Sequence, residues 1–193
     1  MSEDQSSSDT LRILLGVSAG IAAYKAVALA SKLIAAGNVV KTVMTENAGR
    51  LVGPASFEAI TGTAVYKNMW DTPQQYDIGH VKLVDWADIV VVAPATANII
   101  GKAAGGICDD LLSTMLCVCW AKPTLLAPAM NDNMWNNPIV QGNVERLKEV
   151  GFQFIGPVTG RLACGTEAVG RMAEPENILE AIEKIASKIK RET

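Results

Sequence analysis

An apolar run, Leu11 to Val17 (LRILLGV), passes through a turn of small residues into an Ala-rich helical pattern, SAGIAAYKAVALASKLIAAG, that stops at Gly37. The same alternation recurs down the chain. Asn38 to Met44 (NVVKTVM) reads as a second strand with Thr45 at its end, Pro54 to Ile60 as a helix, His80 to Ala87 as a short helical piece, and Asp88 to Ala93 (DIVVVA) as a strand. A helix over Cys108 to Trp120, a strand PTLLAP, a turn AMNDNMW, a helix from Pro138 to Val150, a last strand in FQFIGP and an amphipathic helix from Pro175 to Lys190 complete the series. Strands that are apolar on both faces need helices on both sides, which predicts a parallel sheet in a doubly wound, three-layer α/β fold of flavodoxin or Rossmann type. Ligands of such sheets bind beyond the carboxyl ends of the strands. The loops after Val17, Met44, Ala93 and Ala127 are therefore the ones to inspect.

Composition narrows the function. With 49% apolar and 19% charged residues in 193 positions, the chain predicts one globular domain over residues 11–193, preceded by a disordered polar tail, MSEDQSSSDT. Seventeen basic residues face 20 acidic ones, and no Lys/Arg run precedes the last few positions, which argues against nucleic acid as a partner. The four cysteines, in a chain without a leader pattern, read as reduced thiols of a cytoplasmic protein. Cys117 and Cys119 stand about 200° apart around a helix and cannot grip one metal. No apolar stretch reaches the roughly 20 residues of a membrane span.

Six segments hold residues that could carry chemistry. Gly16-Val17-Ser18-Ala19-Gly20 joins the first strand to the first helix, where free N–H groups and the Ser18 hydroxyl offer an anion site. It has neither the dinucleotide fingerprint nor the P-loop lysine, so it suits a mononucleotide phosphate, or else it is a plain tight turn. Thr96 and Asn98 follow the strand DIVVVA in the same manner, with the helix-cap reading of Thr96 the stronger of the two when taken alone. Asp109 and Asp110 fall in the first turn of a helix and read as structural acids. His80 is the single histidine, delivered by a long loop to the start of a helix, and its pKa range suits a base near neutrality. Asn131 at a strand end can hold a carboxylate or serve as a turn residue, while Met130, Met134 and Trp135 read more readily as core filling. Cys164, in a Gly-rich irregular segment bracketed by Gly160 and Gly170, is the cysteine expected to be accessible.

Taken in order, GVSAGIAAYK, HVKLVDWAD, APATANIIGKAAGGICDD, APAMNDNMWNNP and RLACGTEAVGRMAEP resemble the flavin-dependent cysteine decarboxylases, and most closely the branch acting on phosphopantothenoylcysteine in coenzyme A biosynthesis. The resemblance runs from Leu11 to the closing helix. It implies FMN at a subunit interface of a homo-oligomer built from trimers, the phosphate on the turn of Gly16 and Ser18, and Thr45, Thr96, Ala97, Asn98 and Met130 completing the cofactor site. It further implies that His80 assists oxidation of the substrate thiol, Asn131 binds the substrate carboxylate, and Cys164 returns a proton. The implied reaction oxidises the cysteinyl thiol to a thioaldehyde, loses CO₂ and re-reduces the product to 4′-phosphopantetheine. A phosphopantothenoylcysteine synthetase, fused or separate, is the implied partner, and no metal is implied.

Within that family pattern, Thr96 replaces a serine, Ile99 removes a last hydroxyl, Ala168 stands where the clamp pattern has a glycine, and Ala19 where glycine is frequent. Two alternatives share the fold: a peptidyl-cysteine decarboxylase of peptide-antibiotic maturation, and a non-catalytic FMN-binding regulatory subunit. A flavin prenyltransferase would need neither Cys164 nor the PAMNDNMW segment. Retention of His80, Asn131 and Cys164 favours an enzyme.

Overall fold

The computed structural model describes residues 10–69, 79–161, 163 and 165–192. The expected tail, most of the long loop before His80, and Cys164 lie outside the described residues. Five parallel strands form the central sheet: β1 Arg12–Val17, β2 Val39–Met44, β3 Ile89–Ala95, β4 Thr124–Pro128 and β5 Gln153–Phe154, in the order β2-β1-β3-β4-β5. This is the flavodoxin-type doubly wound order, with its switch point between β1 and β3. The register pairs Leu14 with Lys41 on one side and with Val90 on the other.

Helices cover both faces, as the apolar strands require. On one face, α1 Ala23–Ala35, α2 Pro54–Thr61 and α8 Pro175–Glu192 bury Leu29, Leu33, Phe57, Ile178 and Ile182 against Ile13, Leu15 and Val91. On the other, α3 Gly79–Trp86, α4 Ala97–Gly105, α5 Leu111–Val118 and α7 Pro138–Glu149 pack Ile99, Ile100, Leu112, Met115 and Leu147 against Leu14, Val90 and Leu126. Each such side chain contributes about 1.5–3 kcal/mol through burial. The face that α1 turns inward begins with Ala23 and Ala26 and widens to Leu29 and Leu33. Its amino end therefore lies close against the sheet at the site.

Three elements differ from the sequence expectation. The segment PATANIIGKAAGG contains α4, started by Thr96 as N-cap and stopped by Gly106 in a left-handed conformation. The helix expected from Cys108 begins only at Leu111, because Asp110 accepts from the Ser113 N–H while the Ser113 side chain accepts from Asp110, a capping box that fixes the start. The segment expected to be irregular is an antiparallel hairpin, β6 Val158–Arg161 and β7 Glu167–Arg171. Ala168 pairs with Gly160 in that ladder, and no described non-glycine residue has a positive φ. The missing glycine at 168 therefore falls in ordinary extended backbone.

Candidate active site

The four inspected loops converge on one cavity of about 1180 Å³ at the carboxyl ends of the strands, closed on one side by the hairpin. Ser18, Thr45, Thr96, Ala97, Asn98, Met130 and Asn131 all line it. Short helices begin around it, and the polar candidates double as their caps. Thr45 accepts from the Ala48 N–H, Thr96 from the Ile99 N–H at 3.4 Å, and Asn131, at the start of the short helix α6 Asp132–Trp135, from the Asn133 N–H at 2.9 Å. The cap reading weighed from the sequence for Thr96 thus holds together with a place on the cavity wall.

The Ser18 hydroxyl is buried and serves a structural purpose. It donates to the Pro94 carbonyl at 2.8 Å and accepts from the Thr96 N–H at 3.1 Å, tying the first turn to the loop after β3. The start of α1 is different. Its N-cap residue, Ala22, has no side chain able to cap, and the Ala23 and Lys25 N–H groups close on the Gly20 and Ala22 carbonyls at 2.8 and 2.9 Å, so the turn from Ser18 to Ala22 lines the cavity as backbone and small side chains. Gly20 keeps that turn narrow: a Cβ there would lie 3.3 Å from Thr96 Cγ2. Gly16 does not line the cavity. It sits inside β1, where a Cβ would lie 2.5 Å from Leu112 Cδ1, so its small size serves packing against α5.

His80 is the second residue of α3 and half-buried, and it does not line this chain's cavity. Among the described cysteines, Cys108 and Cys117 are exposed, which the sequence did not indicate. Cys119 is buried, and burial pushes its thiol up to about 11. No group of three potential metal ligands occurs among the described residues.

The cavity also holds charges that the sequence reading passed over. Lys102 reaches Asp109 and Asp110 at 2.7 Å each, joining α4 to the start of α5. Burial works against its ammonium, but the two carboxylates outweigh that and raise its pKa. Across the cavity, Lys25 of α1 and Arg171 of β7 both donate to Glu174 Oε1 at 2.8 Å. The Lys25 hydrogen bond, foremost, holds the Glu174 carboxyl below its usual range. Helical spacing could have placed Lys25 one turn beyond the Ser18 loop. Nothing in the sequence paired it with a carboxylate 149 residues away.

The hairpin is held by backbone. The Met130 N–H donates to the Gly170 carbonyl at 2.9 Å, and a Cβ on Gly170 would lie 2.2 Å from the Met130 carbonyl oxygen. Only glycine permits this approach.

A parallel sheet of this order, with a cavity at the carboxyl ends of its strands, defines the flavodoxin-like class. The chain belongs to the Flavoprotein family, whose model matches residues 1–187. The coenzyme A biosynthesis bifunctional protein CoaBC of Bacillus subtilis is 49% identical over 172 residues, covering 89% of this chain and 42% of that protein. The chain thus spans about two fifths of the length of the curated relatives it matches. A PPC decarboxylase mutant, with cysteine replaced by serine and complexed with pantothenoylaminoethenethiol, superposes with a TM-score of 0.84 at 32% identity, over 92% of this chain and 99% of that one. The FMN-binding protein AtHal3 superposes with a TM-score of 0.81 at 33% identity, over 93% of this chain and 98% of that one.

Proposed function

We propose that this protein is an FMN-dependent carboxy-lyase that converts 4′-phosphopantothenoylcysteine to 4′-phosphopantetheine in the cytoplasm. The observation that carries the reading is the meeting, in one cavity, of the small-residue turn Ser18 to Ala22 before α1, Asn131 beyond the end of β4 and the β6–β7 hairpin. The cavity fits FMN with a substrate beside it. Ala97, Ala129 and Met130 give an apolar floor, and its volume exceeds the usual range for a single small ligand, roughly 300–1,000 Å³. The α1 turn would hold the phosphate, with Thr45, Thr96, Ala97, Asn98 and Met130 around the rest of the cofactor.

Bound FMN supplies a two-electron acceptor and donor. Asn131 binds the substrate carboxylate and sets the Cα–carboxylate bond for cleavage. His80 takes up the proton released as the thiol is oxidised. Cys164 returns a proton to the decarboxylated product, a role consistent with the relative whose cysteine-to-serine mutant is complexed with an aminoethenethiol. His80 stands outside its own chain's cavity, and the reading assigns it to the cavity of a neighbouring copy, in a homo-oligomer built from trimers. Exposed Ile21 and Tyr24 at the cavity wall are the apolar surface such a neighbour would cover. A phosphopantothenoylcysteine synthetase, fused or separate, supplies the substrate.

The test is anaerobic incubation of the yellow protein with phosphopantothenoylcysteine. CO₂ and 4′-phosphopantetheine are expected from the native protein, and no CO₂ from His80→Asn or Asn131→Asp. Cys164→Ser should release CO₂ and accumulate a product two hydrogens lighter by mass spectrometry. Absence of CO₂ from the native protein with FMN bound would refute the reading.

A further inference from the structure

The cavity is electrically lopsided. On the α4–α5 side, Lys102 is met by two carboxylates at 2.7 Å, so that wall carries one negative charge in excess. On the hairpin side, Lys25 and Arg171 share the single carboxylate of Glu174, leaving one positive charge in excess before Arg161 of the same hairpin is counted. With Arg161 counted, this side stays net positive even against Glu46 on the neighbouring loop.

The two cations are not equivalent. The Lys25 side chain is 7% exposed, and its charge is directed to Glu174. Arg171 is 43% exposed, lines the cavity, and uses one terminal nitrogen on Glu174. A guanidinium has five N–H donors in a planar fork, so most of its donor capacity faces outward. Gly160 on the opposite strand makes room for it: a Cβ there would lie 3.1 Å from Arg171 Cδ and 3.4 Å from Nη1. Arg171 is therefore seated from below by Gly160 and tethered by Glu174, a preorganised fork of the kind that grips phosphate bidentately.

We propose that Arg171, tethered by Glu174 and backed by Lys25, receives the dianionic phosphate at the far end of the substrate and so selects a phosphorylated small molecule over an uncharged or peptidyl thiol. This rests on the decarboxylase reading and names the substrate class of that same site. The carboxylate end goes to Asn131, and the phosphate is steered from the negative α4–α5 wall toward the hairpin.

Two probes distinguish phosphopantothenoyl from pantothenoyl ligands on the FMN-loaded protein. In turnover, Arg171→Gln is expected to raise KM for phosphopantothenoylcysteine at least tenfold more than KM for pantothenoylcysteine, with Arg171→Lys in between. In titration followed by flavin absorbance, the same variants should lose the preference of the native protein for 4′-phosphopantetheine over pantetheine, and added salt should erode that preference in the native protein. Equal effects on both members of each pair would overturn the proposal. So would weakened FMN retention with the substrate preference intact, which would assign the cation to the flavin phosphate. A native protein that prefers the phosphorylated ligand but releases no CO₂ would leave the subsite standing and remove the decarboxylase reading.

Discussion

At the scale of single residues, the sheet interior contains one chemical mismatch. Thr42, in the middle of β2, is fully buried, and its hydroxyl is the buried side-chain oxygen without a hydrogen-bond partner among the described residues. Its backbone is fully used, with the carbonyl accepting from Tyr66 N–H at 3.0 Å. An orphaned hydroxyl costs about 1–3 kcal/mol of desolvation, and valine has nearly the same shape without that demand. Thr42→Val should therefore stabilise the protein by about 1 kcal/mol, seen as a melting temperature higher by roughly 2–4 °C at this chain length. A lower melting temperature would mean that the hydroxyl has a partner.

Among elements, the chain was most legible where one signal sufficed. The alternation of doubly apolar strands with helices led directly to the parallel sheet, and the four loops at its carboxyl end were identifiable because topology fixes where ligands sit. Legibility ended where two distant segments decide the outcome. The hairpin strands β6 and β7 have mixed burial and no sustained period of two, and their placement depends on the Met130 N–H donating to the Gly170 carbonyl. The Lys25–Glu174–Arg171 cluster was hidden for the same reason, and α6 because four residues carry no helical period. A similar long-range pair joins the starts of β1 and β3, where Asp88 accepts from the Arg12 N–H at 2.8 Å and from its guanidinium at 2.7 Å. The Arg12 hydrogen bond holds the Asp88 carboxyl below its usual range, so the ionised form is favoured in the folded chain. A lowered carboxyl pKa adds stability above the unfolded value near 4 and loses it as the pH falls through the folded one. Asp88→Asn should accordingly lower stability at pH 7 and converge on the native protein in strong acid, as read by denaturant unfolding at several pH values. A constant offset at every pH would assign the effect to lost neutral hydrogen bonds.

For the whole molecule, the two faces of the sheet contribute opposite charge to the cavity and different jobs: the α1–α8 face anchors the hairpin, and the α3–α5 face carries His80. If neighbouring copies exchange His80, dilution should release flavin and dissociate the oligomer together, by light scattering with flavin fluorescence. A monomer that keeps its FMN and its turnover would exclude the exchange. How copies can meet is limited by the sheet's rim. Tyr66 runs along the outer side of β2, its carbonyl accepting from Met44 N–H at 2.9 Å and its N–H reaching Thr42. The opposite edge, β5, is only two residues long. A single bridge at one margin and a two-residue strand at the other leave little ladder for another strand, which disfavours extension of the sheet into a continuous ribbon. Growth of the assembly then falls to side-chain surfaces, which can saturate in a closed ring, and open-ended fibrils are discouraged at the same two places.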